Sequence, residues 1–386
     1  MANDLATSKK YFLGDIQADL VTRDTGLTVG ANALELIASS RINPVIETSP
    51  IDSASPELPN EPDTIDAVYA GGSLACHIRQ PGTLSDPPVA GELPREFDVL
   101  ARMTGHKRVI PASGKWVTWY DVGSEAEAAT IEQRDILDNG ETNLVTAWAA
   151  KASSAVEMSA RKPVVFTAGG LIGRIGNITT AYEDGGTYGG TVSYAGGDPI
   201  VLRGAPCQIV DLSDDSVYGG GTLASPDYTV CLQGMTLDSA RNVAPLDCVA
   251  ADGGIRGARG EVTPRTGTLI LEVVDVPTFN PRALQIAKQA LEIRVKIPTG
   301  VDGVYLWGVG YFYITGVSDE TIAQGRLLHT LTVRFTSPED AADGSPAAGA
   351  DPGQKFTAGT NAGLPNSDGV NAPAGARWAW QLVDEN

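Results

Sequence analysis

The chain is short of the residues that carry chemistry. It has three histidines, His77, His106 and His329, and none falls in an H-E-x-x-H or H-x-x-x-H pattern, so the common zinc-protease spacing is excluded. Its four cysteines, Cys76, Cys207, Cys231 and Cys248, form no C-x-x-C pair. In 386 residues they are too few for a disulfide scaffold, and buried thiols are the expectation. Positive charge is scarce too: 28 Lys and Arg stand against 47 Asp and Glu, for a net charge of −19. Without a basic stripe the chain cannot neutralise phosphates, which disfavours a grip on DNA, RNA or an anionic membrane. No stretch approaches the roughly 18 apolar residues of a membrane span. The opening Met1-Ala2-Asn3-Asp4-Leu5 has no cationic region ahead of an apolar run, so the expectation is a soluble, cytoplasmically made protein with neither a secretory signal nor membrane insertion.

What the chain does have is glycine (44) and proline (24), with 42% apolar and 19% charged residues. That is a globular composition favouring many short strands joined by turns. Residues 33–38 (ALELIA) predict one or two helical turns, followed by a Pro- and acid-rich exposed arm at 48–63. Near 93–102 the period changes: Phe97, Leu100, Ala101 and Thr104 share a helical face, Pro94 suits the first turn and Gly105 the stop. Strands are predicted at 116–120, 163–167 (closing at Gly169 and Gly170), 200–202, 228–232 and, buried on both faces, 267–274. In 291–297 and 331–335 apolar and polar residues alternate, placing charges such as Glu292, Arg294 and Lys296 on the face opposite the apolar residues, while 304–314 is largely apolar with glycines that permit a bulge or bend. A helix is predicted over 280–290, with Asn280 as cap, Pro281 at the first position and Leu284, Ala287 and Leu291 as its buried stripe. Residues 182–197, rich in Gly and Tyr, read as a projecting hairpin or loop. Beyond Ser337 the composition of 338–373 predicts a flexible tail, with the Trp-bearing tip near Trp378 and Trp380 as an anchor on its own subunit or a neighbour. The division expected is therefore 1–70, an N-terminal arm and the first elements; 71–337, the main β domain; and 338–386, a Gly/Ala/Pro-rich extension whose removal leaves the fold intact.

The search for an active site is negative. Gly71-Gly72-Ser73-Leu74-Ala75 resembles a nucleophile elbow with Ala75 in place of the second glycine, and His77 is near only in sequence. Ser159-Ala160-Arg161-Lys162 fits S-x-x-K, but Pro163 follows where a helix is required. Asp211, Asp214 and Asp215 lack the order of a calcium loop and read as a solvated turn. Asn177-Ile178-Thr179 is a glycosylation acceptor left idle without secretion, and no phosphate-binding glycine loop occurs. No catalytic, cofactor-binding or metal residue is expected, and an enzyme would need a cleft where His77 or His329 meets a nucleophile.

The order of segments resembles that of siphophage tail tube proteins, also called major tail proteins. Five stretches carry the resemblance: the turn Gly30-Ala31-Asn32-Ala33-Leu34 before the acidic arm; Pro87-Pro88 with Leu100-Ala101-Arg102-Met103-Thr104-Gly105-His106; Trp119-Tyr120 with Ala129-Thr130-Ile131-Glu132; Val165-Phe166-Thr167-Ala168-Gly169-Gly170; and the closing strand–helix–strand meander from Gly267 to Phe335. The extension beyond Ser337 and the length of the first arm depart from that pattern. The resemblance implies a mainly β fold, a tail-tube-type β-sandwich or half-barrel with a flanking α-helix and long loop and arm extensions. It implies a virion subunit, made in the host bacterial cytoplasm, that forms hexameric rings stacked into a tube. Its partners would be other copies of itself, the tail terminator, tape measure and distal tail proteins, and DNA passing through the lumen without specific binding. An acidic wall suits that passage, because it repels DNA. The rival readings are another tail-fold component, in the neck or distal tail, and a carbohydrate-binding β-sandwich module displaying coplanar Trp and Tyr.

Overall fold

A computed structural model describes residues 7–20, 22–23, 26–49, 64–112, 114–121, 126–137, 141–176, 183–187, 194, 197–211, 228–239, 241–247, 255–261, 268–274, 279–321, 327–335 and 378–386. The chain is mainly β. The first strands are β1 (Thr7–Ile16), β2 (Ala33–Leu34), β3 (Arg41–Ser49) and β4 (Thr64–His77). A helix, α1 (Arg95–Met103), precedes β5 (His106–Val109), β6 (Trp116–Asp121), β7 (Ala129–Leu137), β8 (Glu141–Ser159), β9 (Val165–Ile175) and β10 (Glu183–Thr187). Next come β11 (Cys207–Asp211), β12 (Tyr228–Asp238), β13 (Asn242–Asp247), β14 (Ile255–Glu261) and β15 (Thr268–Val274). The second helix, α2 (Pro281–Ala287), leads into β16 (Ala290–Pro298), β17 (Val304–Thr321), β18 (Leu327–Phe335) and β19 (Trp378–Asp384).

All pairings between these strands are antiparallel, and all but β13 and β14 belong to one continuous ladder. Part of it closes on itself. β11 pairs with β12, β12 with β15, β15 with β18, β18 with β17, β17 with β16, and β16 again with β11. Register places apolar side chains opposite one another along this circuit, Ile209 against Ile293, Leu291 against Phe312, and Phe312 against Phe335, all buried. Period-2 alternation aims such residues at a common core, and burying them supplies the main driving force. Two long strands serve more than one partner set. β17, 18 residues long, pairs with β19 over its first half and β18 over its second. β8, 19 residues long, pairs with β7 and β12 along its length, and with β9 and β10 as well.

From β8 and β9 the ladder extends to β4 and β3, and from β7 to β1 and β2, so the first 70 residues contribute three strands and the start of β4 to this one ladder. The helix α1 flanks it. Phe97 meets Trp119 and Phe166 edge-on, with ring centroids 4.9 and 5.2 Å apart, and Leu100, Ala101 and Met103 are buried beside them. Pro94 caps the helix, and Gly105, at φ +97°, takes the left-handed backbone that ends it.

Several expectations change. Residues 33–38 form no helix: Ala33 and Leu34 pair with Leu13 and Phe12, because tertiary pairing outweighs local propensity. β9 does not stop at Gly169 and Gly170 but passes through them at a bulge, where the register against β4 shifts. Residues 200–202 make only an isolated bridge, between Val201 and Pro163. The second helix is shorter than predicted. It starts as expected, with the Asn280 side chain accepting from Ala283 N–H, but Lys288 adopts a left-handed conformation and ends it, so Ala287 is exposed and Leu291 belongs to β16. On β16 the charged face is not open to water: Glu292 and Arg294 are each 2% exposed and form an ion pair with each other, the mutual neutralisation that lets charges be covered.

At the far end the Trp-bearing tip is anchored on its own subunit, the first of the two expected places. β19 inserts between β6 and β17, with Trp380 opposite both Trp119 and Gly308, and all seven residues are buried. Gly308 makes room for this, since a Cβ there would come within 2.8 Å of Trp378. The sheet thus includes the end of the 338–386 segment, whereas 338–373, expected to be flexible, lies outside the described residues, as does most of the 48–63 arm.

Candidate functional site

The residues that hinted at catalysis are not brought together. Ser73 sits mid-strand in β4, opposite Arg41, rather than on a strand-to-helix elbow. His77, four residues on, lies about 13 Å further along the strand at ~3.3 Å per residue, beyond hydrogen-bond reach. Burial, with the Arg79 charge second, holds its imidazole below its ordinary value. His106 is buried at the end of α1, its Nδ1 3.3 Å from Thr104 Oγ1 and 3.2 Å from the Ala101 carbonyl, with Phe166 against its ring. His329 belongs to β18, opposite Val273 and Asp319. Ser159 and Lys162 flank a tight turn closed by Lys162 N–H donating to the Ser159 carbonyl, with Arg161 at φ +66°, so the S-x-x-K geometry is absent. Asn177, Asp214 and Asp215 lie outside the described residues. Among the described residues no group of three or more His, Cys, Asp or Glu is placed to hold a metal, and no helix is long and apolar enough to cross a membrane.

One cavity of about 570 Å³ opens beside the start of α1, lined in part by Arg79, Glu92, Leu93 and Tyr194. Its charged groups are already engaged. Arg79 pairs with Glu35 and donates to the Gly197 carbonyl. The Glu92 carboxylate accepts from Ser85 N–H and Oγ and from Val89 N–H, bonds that hold it below the usual carboxylate range. Neither is left to act as a base or nucleophile there.

The surface offers more than the cavity. β3 and β4 form a long hairpin whose base is buried through Ile42, Ala70 and Leu74. Further out, the face that carries Ile42 continues as Ile46, paired with Val68, and as Ile65, paired with Thr48 after a bulge re-phases β4. Ile46 is 56% and Ile65 65% exposed, an apolar strip facing water. The other face is polar there, with Tyr69 Oη donating to Glu47 at 2.7 Å. Along the outer edge of β3, Ile42 N–H donates to Gln133 Oε1 at 2.8 Å, and past it no described strand pairs with β3. A second exposed apolar point is Ile286 on α2, at 83%. Sequence reading placed an arm here but missed the strip, because the bulge that puts Ile65 on the face of Ile46 leaves no sequence signal.

The tryptophans give no open aromatic platform. Trp116, Trp119, Trp307, Trp378 and Trp380 are buried, and Trp148 lies under Arg174, whose guanidinium carbon is 3.9 Å from the ring centroid. No protein-family model and no curated protein matches the chain.

Proposed function

We propose that this chain is a structural protomer that assembles with copies of itself into stacked rings, and specifically the tail tube subunit of a long-tailed bacteriophage. The observation that carries the reading is the long β3–β4 hairpin, which leaves the body of the fold with an unpaired edge and a water-facing apolar strip of Ile46 and Ile65. Such a feature is a liability on a solitary protein and a resource on one that polymerises. The antiparallel β body with α1 docked on its flank accords with the order of segments that resembles the tail tube family. A hexameric ring merging its sheets, stacked through heterologous contacts, yields an open filament rather than a closed particle. In that role the chain is a virion component, meeting the terminator, tape measure and distal tail proteins at the tube's ends, while DNA slides past without a specific grip.

The buried tryptophans favour this reading over a carbohydrate-binding module, which needs aromatic faces in water. Negative-stain microscopy of the purified protein tests it: rings or tubes are expected as concentration rises. Strictly monomeric behaviour at every salt and concentration would end it. A neck or distal tail role is separated by copy number in particles, since a tube subunit recurs in many rings.

A further inference from the structure

The hairpin strip needs a counterpart, and charge identifies one. From Ile42 to Ile78 the sequence contains no Lys or Arg, but it has six acids, Glu47, Asp52, Glu57, Glu61, Asp63 and Asp66. Glu47 and Asp66 are exposed next to Ile46 and Ile65 in the chain, Glu47 on the opposite, polar face of the hairpin. The segment around α2 is the reverse. From Pro277 to Leu291 there is no acid, while exposed Arg282 and Lys288 bracket Ile286. Arg282 and Ile286 are four apart and share one helical face. α2 lies against β17, where Gln285 Nε2 donates to the Thr315 carbonyl. Each patch thus pairs exposed isoleucine with charge of a single sign, and the two signs are opposite.

We infer that the distal β3–β4 hairpin of one copy docks on α2 of a second copy, with Ile46 and Ile65 against Ile286, Asp66 beside them toward Arg282 and Lys288, and the hairpin's net negative charge drawn to that cationic end. This rests on the self-assembly reading and specifies one of its contacts. Because the two patches differ, the contact is head-to-tail and propagates from copy to copy. The apolar pair supplies affinity, while the charges set register and speed encounter.

The test uses the full chain with Cys231→Ser and Cys248→Ser, leaving the buried Cys76 and Cys207 in place. Ile65→Cys and Ile286→Cys are made separately, mixed under assembling conditions and oxidised. A disulfide-linked dimer is expected in the mixture and in neither variant alone. In parallel, Ile286→Asp should raise the concentration needed for assembly about tenfold or more, the loss of one desolvated apolar contact. Reversal of Arg282 and Lys288 to Glu should weaken assembly, and Asp66→Lys in the same chain should recover part of it. If tubes form but no mixed dimer appears and Ile286→Asp assembles normally, the docking is wrong and the assembly reading stands. If the parent protein never assembles, both fall.

Discussion

Asp98 accepts from Trp119 Nε1 at 2.8 Å with one carboxylate oxygen and from Arg108 at 2.7 Å with the other, while Arg102 stands 3.6 Å away. This single half-turn of α1 ties the helix to β5 and β6, with Asp98 itself buried. Removing it strands an indole N–H and the Arg108 guanidinium, while Arg102 keeps Glu127, so Asp98→Ala should cost about 3–5 kcal/mol in urea unfolding, the penalty for a broken buried pair. Two residues earlier, Glu96 is 2% exposed, with Oε1 accepting from Glu35 N–H at 3.2 Å and Oε2 unpartnered. Burial raises its carboxyl above its ordinary value of 4.5, against the pull of backbone N–H groups and Arg79. The folded state therefore holds a proton that the unfolded state releases first, so stability falls as pH rises from about 4.5 through the raised folded value. Glu96→Gln keeps the amide acceptor and removes the titration. Its stability advantage over the parent should grow across that window and then level off, and a pH-independent difference would contradict the assignment.

At the scale of elements, β19 decides how much of the molecule is one unit. Ending the chain before Trp378 removes Trp378, Trp380 and Leu382 from the core, each tryptophan contributing about 3–5 kcal/mol. Together they rival the net stability of a typical domain, about 5–15 kcal/mol, so the truncated chain should lose its cooperative near-UV circular-dichroism transition. Trp380→Ala alone should lower the melting temperature and keep the fold. The sequence made the strand visible as an apolar tip, Trp-Ala-Trp-Gln-Leu-Val, but not its place, because the composition before it reads as a tail and its partners are β6 and β17. The helix α1 and the cap of α2 were legible, since capping and periodicity act within a few residues. So were β6, β12, β16 and β18. The covered pair of Glu292 and Arg294 was not. Alternation predicts which residues share a face, whereas the covering of that face depends on distant chain. The exposed strip of Ile46 and Ile65 required the observed bulge.

Across the whole molecule the net charge of −19 becomes a property of any assembly, multiplied by the number of copies. Purified protein should fail to retard duplex DNA in a gel at physiological salt, in monomeric and assembled form alike. A retarded band that fades as salt is raised would reveal a cationic track and argue against passage without grip.

The position of β19 also bears on how copies are made. Its neighbours are β6, some 260 residues upstream, and β17, so β5 and β6 stay apart from the rest of the sheet until synthesis has passed residue 384. Pairings of that span are slow to find. A nascent chain that has not yet released β19 therefore lacks a finished body, and a chain that stops short of it cannot complete one. If the protein polymerises, this late closure acts as an inspection step: only chains translated through β19 acquire the shape that the polymer accepts, and shorter fragments are left to proteolysis instead of capping a growing end.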